Sequence, residues 1–377
     1  MDGAGDAAGE EMKAWCRSHP KIELHAHLNG SIRDSTLLEL AKDLGEKGII
    51  VFEDVEHIIT KSGRSLPECF MLFDLFHVIA TDHNSVARIA REVVEDFAAE
   101  NVVYLELRTT PKNNESKGMT KRSYMKAVLD GLSAVDTVEL VSTPFGKQCD
   151  NAAKSSMPFC NRVCGGQRKK ICVRLLLSID RRETTAAAME TVNLALELRD
   201  SGVVGIDLSG NPLIGKWETF LPALKYAREK GLPVTIHCGE VPNKEEVNAI
   251  LDFCPDRIGH ACFLDEDDWK RLKASKIPIE ICLTSNCKTN CVPSIKDHHF
   301  VDLYGINHPM ILCTDDPGLF STSVSNEYYL AASTFEELSK SEMRRLAYVA
   351  VESVFADDGV KHLLREIFEA VENDHGI

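Results

Sequence analysis

The sequence lacks an excess of basic charge. Its 43 Lys and Arg face 58 Asp and Glu, a formal net charge of -15 over 377 residues. No nucleic-acid partner is expected, because a phosphate backbone calls for a basic footprint. A small anionic substrate stays open, since one nearby cation outweighs a distant field at physiological salt. No apolar run reaches the ~18 residues of a membrane span, so no membrane partner is expected either. No G-x-G-x-x-G follows the first predicted strand, which counts against dinucleotide binding. Residues 1–11 (MDGAGDAAGEE) contain no arginine and no secretory signal. Residues 1–12 are therefore expected to be a disordered tail rather than a transit peptide. The 13 cysteines include no C-x-x-C pair. Cys160 and Cys164 are four apart, as are Cys287 and Cys291, and a four-cysteine zinc site is not expected. Several others (Cys172, Cys238, Cys262, Cys282, Cys313) lie inside apolar runs, as reduced thiols of a cytosolic protein do.

What the chain does have is a series of short β-branched or apolar runs. They span 22–28, 102–109, 171–179, 203–208, 233–237, 257–262, 278–283 and 310–314. Helical patterns separate most of them, such as 184–200 (TTAAAMETVNLALELRD), ended by Ser201-Gly202. Eight strands alternating with helices predict an α/β fold, a (β/α)8 TIM barrel, as one domain over residues 13–377. Residues 35–100 are too long for one crossover and predict extra helices after strand 1, able to wall the top of the barrel. Residues 141–169, rich in Ser, Pro, Gly, Asn and Cys, predict an exposed, flexible insertion before strand 3.

Four of the runs end in clusters of polar residues: His25-Ala26-His27, His237-Cys238-Gly239-Glu240, Gly259-His260-Ala261 and Thr314-Asp315-Asp316. The C-terminal tips of barrel strands are where such a fold keeps its chemistry. Side chains alternate along a strand, so Glu23, His25 and His27 share the face toward the barrel axis, and Thr235 and His237 do likewise. Two histidines at i and i+2, a third from another strand and an aspartate form a donor set for a divalent first-row metal, most simply zinc. Such a metal lowers the pKa of its water toward ~7 and implies hydrolysis. Glu240, near the metal but outside its ligand set, fits a general acid or base. Each residue also has a plainer reading: core histidines bonded to backbone, a first-turn helix glutamate, and turn chemistry for Asp315-Asp316-Pro317.

On these residues the sequence resembles the adenosine deaminase family of metal-dependent hydrolases, over roughly 13–370 without the insertion. Within it, KIELHAHLNGSI, VYLELRTTPK, LLLSIDRRET, GIDLSGNP, HCGEVPN and RIGHACF resemble the branch that acts on N6-methyl-AMP, particularly its plant members. The resemblance implies one zinc per chain on His25, His27, His237 and Asp315. It implies that Glu240 protonates purine N1, that His260 serves as base and electrostatic partner of the attacking water, and that Asp316 orients that water and contacts N7. The Gly210 backbone would meet the N3 edge. His27, Asn29, His77, Thr109, Thr110, Pro111, Lys112 and Asp180 would line the rest of the substrate site. Cytidine-type deamination is not expected, since its H-x-E and P-C-x-x-C pair is missing.

The expected reaction is deamination at C6 of a purine nucleoside 5′-monophosphate, N6-methyl-AMP to IMP and methylamine. The alternative is an adenosine deaminase acting on the free nucleoside. Adenosine-specific members carry aspartate where this chain has Asn29, and a carboxylate ~4 Å from a phosphate would repel it by about 4 kcal/mol per charge pair at an effective dielectric of ~20. Asparagine removes that penalty and donates hydrogen bonds. His77, in the apolar stripe 70–80, reads equally well as a core histidine. Asp180, beside Arg181 and Arg182, reads equally well as a structural ion pair. A binuclear amidohydrolase would place a lysine on the fourth strand, and 203–210 (VVGIDLSG) has none. A purine-binding module without catalysis would have no need of Glu240 or His260. A monomer is expected from the family, and the cytosol from the scattered, reduced cysteines.

Overall fold

The computed structural model describes residues 2–61, 64–141, 169–336 and 338–374. Eight strands alternate with helices in a parallel barrel: β1 (Lys21–His27), β2 (Val102–Thr109), β4 (Lys170–Asp180), β5 (Val203–Ser209), β6 (Val234–Cys238), β7 (Arg257–His260), β8 (Ile279–Ile281) and β9 (Met310–Leu312). A two-residue strand, β3 (Glu139–Leu140), pairs with Lys170 and Ile171 outside that ring. The expected (β/α)8 barrel is the fold found. Closure between β9 and β1 falls at the site itself. Asp315 bridges Ala26, donating its N–H to the His25 carbonyl at 2.7 Å and accepting from His27 N–H at 2.9 Å.

The alternation read from β1 holds. Ile22, Leu24 and Ala26 are fully buried in the apolar layer between barrel and helices. Glu23 turns the other way and accepts from the Thr314 hydroxyl across the β1–β9 seam. Helix boundaries follow local chemistry. Thr184 caps Thr185–Glu197 by accepting from Ala187 N–H, and a 3-10 turn (Arg199–Ser201) ends it before Gly202. The long stretch after β1 forms four helices, Asp34–Glu46, Phe52–Ile59, Leu66–Ile79 and His83–Ala99. Ser65 and Glu68 form a capping box at the start of the third.

The disordered tail is a correction: Asp2–Ser18 is a helix. Its alanines and glutamates favour helix, and tertiary contacts fix its second half. Met12 and Trp15 pack on the core, Cys16 is fully buried, and Glu11 pairs with Lys340 at 2.6 Å. Residues 142–168 of the expected insertion lie outside the described residues. The ten described cysteines are all unpaired. Among the described residues no helix is long and apolar enough to cross a membrane.

Candidate active site

At the C-terminal mouth of the barrel, β1, β6 and the turn after β9 bring His25, His27, His237 and Asp315 together. One donor atom from each lies within 4.8 Å of the others. His25 Nε2 and His27 Nε2 stand 3.4 and 3.3 Å from Asp315 Oδ1. His27 Nε2 and His237 Nε2 are 3.1 Å apart, and two ring lone pairs so close repel unless a cation or proton lies between them. Three imidazoles and a carboxylate converging in this way fit a divalent metal with a position left for water. Asp315 reaches the cluster through a left-handed backbone, φ +65°, and strain of this kind marks functional positions.

Behind the four donors lies a layer that the sequence reading missed. His25 Nδ1 bonds Glu280 Oε2 at 2.6 Å, and His237 Nδ1 lies 3.1 Å from Asp207 Oδ1. Ser285 donates to Asp315 Oδ2 at 2.6 Å. Arg108, fully buried, donates to both Asp207 and Glu280, and Arg257 bridges Glu280 to Glu106. Carboxylates on the far ring nitrogens fix each histidine's tautomer and make it a better ligand. The available signal was charge inside an apolar strand: Glu106 and Arg108 in β2, Asp207 in β5, Glu280 in β8. Burial opposes ionisation of Glu280 and Asp207, but the arginine charges outweigh it and hold both well below the usual carboxylate range.

Around the cluster stand the three residues expected to act on the reacting atoms. Glu240 follows Gly239 after β6 and is raised to about 8, by loss of solvent first and then by the nearby Asp315 charge. His260, at φ +64°, is buried, and its Nε2 is 3.8 Å from Glu240 Oε1 and makes no hydrogen bond among the described residues. Burial keeps its imidazole neutral, well below the usual histidine value. Asp316 is buried and raised to about 7, again by burial and then by Asp315. The two adjacent aspartates therefore differ, since burial is outweighed at Asp315 by the surrounding imidazoles, which hold it well below its usual range.

A second group gathers at the tips of β1, β2 and β4, which are neighbours in the sheet. Asn29 lies near the hydroxyl of Tyr124, a residue the sequence reading did not select, and Tyr124 meets Thr109 Oγ1 at 2.8 Å. Thr110 and Lys112 are half-buried and Pro111 is buried at the same tip. Asp180 grips Arg182, which in turn reaches His77 Nε2 at 3.4 Å. His77 is on the exposed side of its helix, yet neighbouring atoms and then the Lys112 and Arg182 charges depress it to about 4. Lys112 is lowered to about 8, by burial and then by Arg182. Gly210, φ +106°, lies against Asp180, and a Cβ there would be 3.2 Å from Asp180 Oδ1.

Residues 20–371 match the family described as adenosine deaminase. The chain is 62% identical to the N6-mAMP deaminase of Arabidopsis thaliana over 96% of its length and 99% of the relative's. It is 37% identical to the human N6-methyl-AMP deaminase, covering 92% of each. The crystal structure of Arabidopsis ADAL complexed with IMP superposes with a TM-score of 0.86 at 61% identity, over 96% of this chain and 99% of that one.

Proposed function

The chain belongs to the adenosine deaminase family, a family of hydrolytic deaminases, and from that premise we propose that it converts N6-methyl-AMP and water to IMP and methylamine. The reading rests on one juxtaposition. A four-donor metal cluster carries a protonated carboxyl, Glu240, beside it, and the neighbouring strand tips carry Lys112, which makes no ion pair among the described residues, next to the Asp180–Arg182 pair. A phosphate would give Lys112 an ionic partner, and Asn29 adds no negative charge of its own.

One zinc ion on His25, His27, His237 and Asp315 would supply the Lewis acid that activates the attacking water. The remaining work belongs to the side chains. Glu240, protonated at neutral pH, donates to purine N1 and makes C6 electrophilic. His260 and Asp316 flank the water on its path to C6, and Asp316 also meets the N7 edge. Gly210 offers its backbone to N3. Asn29, Tyr124, Thr109, Thr110 and Lys112 hold the phosphate end, with His77 and Asp180 beside them. The substrate is a small purine nucleotide, and the protein works as a monomer in the cytosol.

The test is a competition among N6-methyl-AMP, AMP and adenosine, with methylamine and ammonia measured separately. Preferential release of methylamine from N6-methyl-AMP is expected. Equal or better turnover of adenosine would overturn the phosphate assignment.

A further inference from the structure

A chain of hydrogen bonds behind His260 begins at a donor whose direction is not open to choice. The main-chain N–H of Phe300 points at His298 Nδ1, 3.0 Å away. That nitrogen must therefore accept. His298 is fully buried, and burial together with the neighbouring His299 ring depresses it to about 2, so the ring is neutral. Its single proton then sits on Nε2, 3.0 Å from Asn286 Oδ1. The Asn286 amide, its oxygen now accepting, presents Nδ2–H to His260 Nδ1, again at 3.0 Å. His260 Nδ1 thus accepts, and its one proton belongs on Nε2, the atom that faces the metal cluster and finds no hydrogen-bond partner among the described residues.

Nothing along this line is loose. Asn286 is 1% exposed and His260 2% exposed. The His298 ring stacks on His299 at 4.2 Å between centroids, and His299 Nε2 donates to the His260 carbonyl at 2.9 Å, which steadies the strained backbone there. The three residues come from three places in the chain: the end of β7, the helix Leu283–Lys288 after β8, and the turn after Ile295–Asp297.

We propose that Asn286 and His298 are positioning residues that fix His260 as the Nε2–H tautomer, so that His260 gives the attacking water a hydrogen bond and does not take its proton. The proposal rests on the reading that His260 faces that water. A neutral ring with its proton on Nε2 and its Nδ1 lone pair engaged by Asn286 has no free acceptor. The proton that the water loses as its oxygen bonds to C6 then passes to the Glu240 carboxylate, which has given its own proton to N1 and stands 3.8 Å from His260 Nε2, and from there to the departing amine. This replaces the role of base expected for His260 with that of donor, and it orients the water lone pair toward C6.

The direct test is nitrogen NMR of the zinc-loaded protein labelled at histidine, with the His260 signals assigned by difference against His260→Gln. A protonated Nε2 and an unprotonated Nδ1 are expected at both His260 and His298. A protonated Nδ1 at His260 would overturn the proposal, whatever the activity. Asn286→Asp is the chemical test, because a carboxylate only accepts and so pulls the His260 proton to Nδ1. Its expected result is the inverted tautomer, kcat lowered about 100-fold and KM for the nucleotide within about threefold of the parent. Inverted tautomer with unchanged kcat would reject the positioning role. His298→Gln, which places an amide N–H near the lost Nε2–H, should restore most of the activity that His298→Phe loses; equal loss in both would also reject it. Should the parent protein release no amine from N6-methyl-AMP, the functional reading fails, and the tautomer is still read independently from the spectrum.

Discussion

A Cβ placed on Gly30 would lie 1.6 Å from Oδ1 of Asp316 and 2.6 Å from its Cβ. Glycine at 30 is thus a matter of space rather than backbone: the residue sits in a short 3-10 turn, Asn29–Ser31, that any side chain permits. The carboxyl of Asp316 occupies the volume a methyl group would need. Gly30→Ala should push Asp316 away from the reacting atoms while leaving the four metal donors in place. A displacement of ~1 Å at such a group costs about 10²-fold in rate. Steady-state kinetics paired with metal analysis checks this, and a Gly30→Ala enzyme with normal kcat would show that Asp316 plays no part in the reaction.

Glu240 acts in its protonated form. Its pKa stands at about 8, so the acid is present below that value and is lost as pH rises through it. The rate on N6-methyl-AMP should therefore fall on the alkaline side of about pH 8. Glu240→Gln should lower kcat by about 10²–10⁴-fold, the usual worth of a placed acid, and should bind IMP as tightly as the parent does. Glutamine does not titrate, so whatever activity remains should lose that alkaline limb. An unchanged limb would assign the titration to another group.

The three histidines were legible because strand alternation decides which side chains face the barrel axis, and the aspartate because it closes the last apolar run. His25 and His27 differ by two residues and must share a face. The carboxylates behind them were not legible as partners. Glu280 and Asp207 lie 255 and 30 residues from the histidines they bond, and only the barrel's register brings them together. Tyr124 escaped notice for a related reason, since it is on the helix after β2, whereas the pairing of Asp180 with Arg182 two residues on was one of the two readings open in the sequence. The helix Asp2–Ser18 was misread because composition alone describes its small, acidic start, whereas the contacts of Trp15, Cys16 and Glu11 with distant helices hold it.

At the nucleotide end, charge decides specificity. Asn29→Asp would set a carboxylate where the substrate carries its phosphate. With about 4 kcal/mol of repulsion per charge pair at ~4 Å, KM for N6-methyl-AMP should rise by up to about 10³-fold. Adenosine, which has no phosphate, should be turned over as before or better. Lys112→Ala should weaken the nucleotide in the same direction but leave adenosine unaffected. Parallel changes for both substrates would place Asn29 and Lys112 away from the phosphate.

Ser285 offers the gentlest probe of the layer behind the metal donors. It touches Asp315 through one hydrogen bond of 2.6 Å and belongs to none of the buried ion pairs. Ser285→Ala should free the Asp315 carboxylate to rotate and weaken metal binding by about 10–100-fold, the common effect of losing such a partner. Competition with a chelator measures this directly. Affinity equal to that of the parent protein would mean that the backbone bonds of Asp315 to His25 and His27 position it alone.

His298 should leave a mark on acid stability as well. Buried and uncharged, it has a folded-state pKa of about 2 against an ordinary 6.5. Between those values the unfolded chain binds a proton that the folded chain refuses. Stability therefore falls as pH drops below 6.5, by up to ~1.4 kcal/mol for each unit contributed by one such group. His298→Gln removes the titration yet keeps a donor for Asn286. Urea unfolding of the two proteins across pH 5 to 8 should give curves that run parallel above about 7 and diverge below 6.5, with the parent protein losing stability faster. Parallel curves throughout would mean that the folded protein admits a proton at His298, and with it that the ring can turn over its hydrogen bonds.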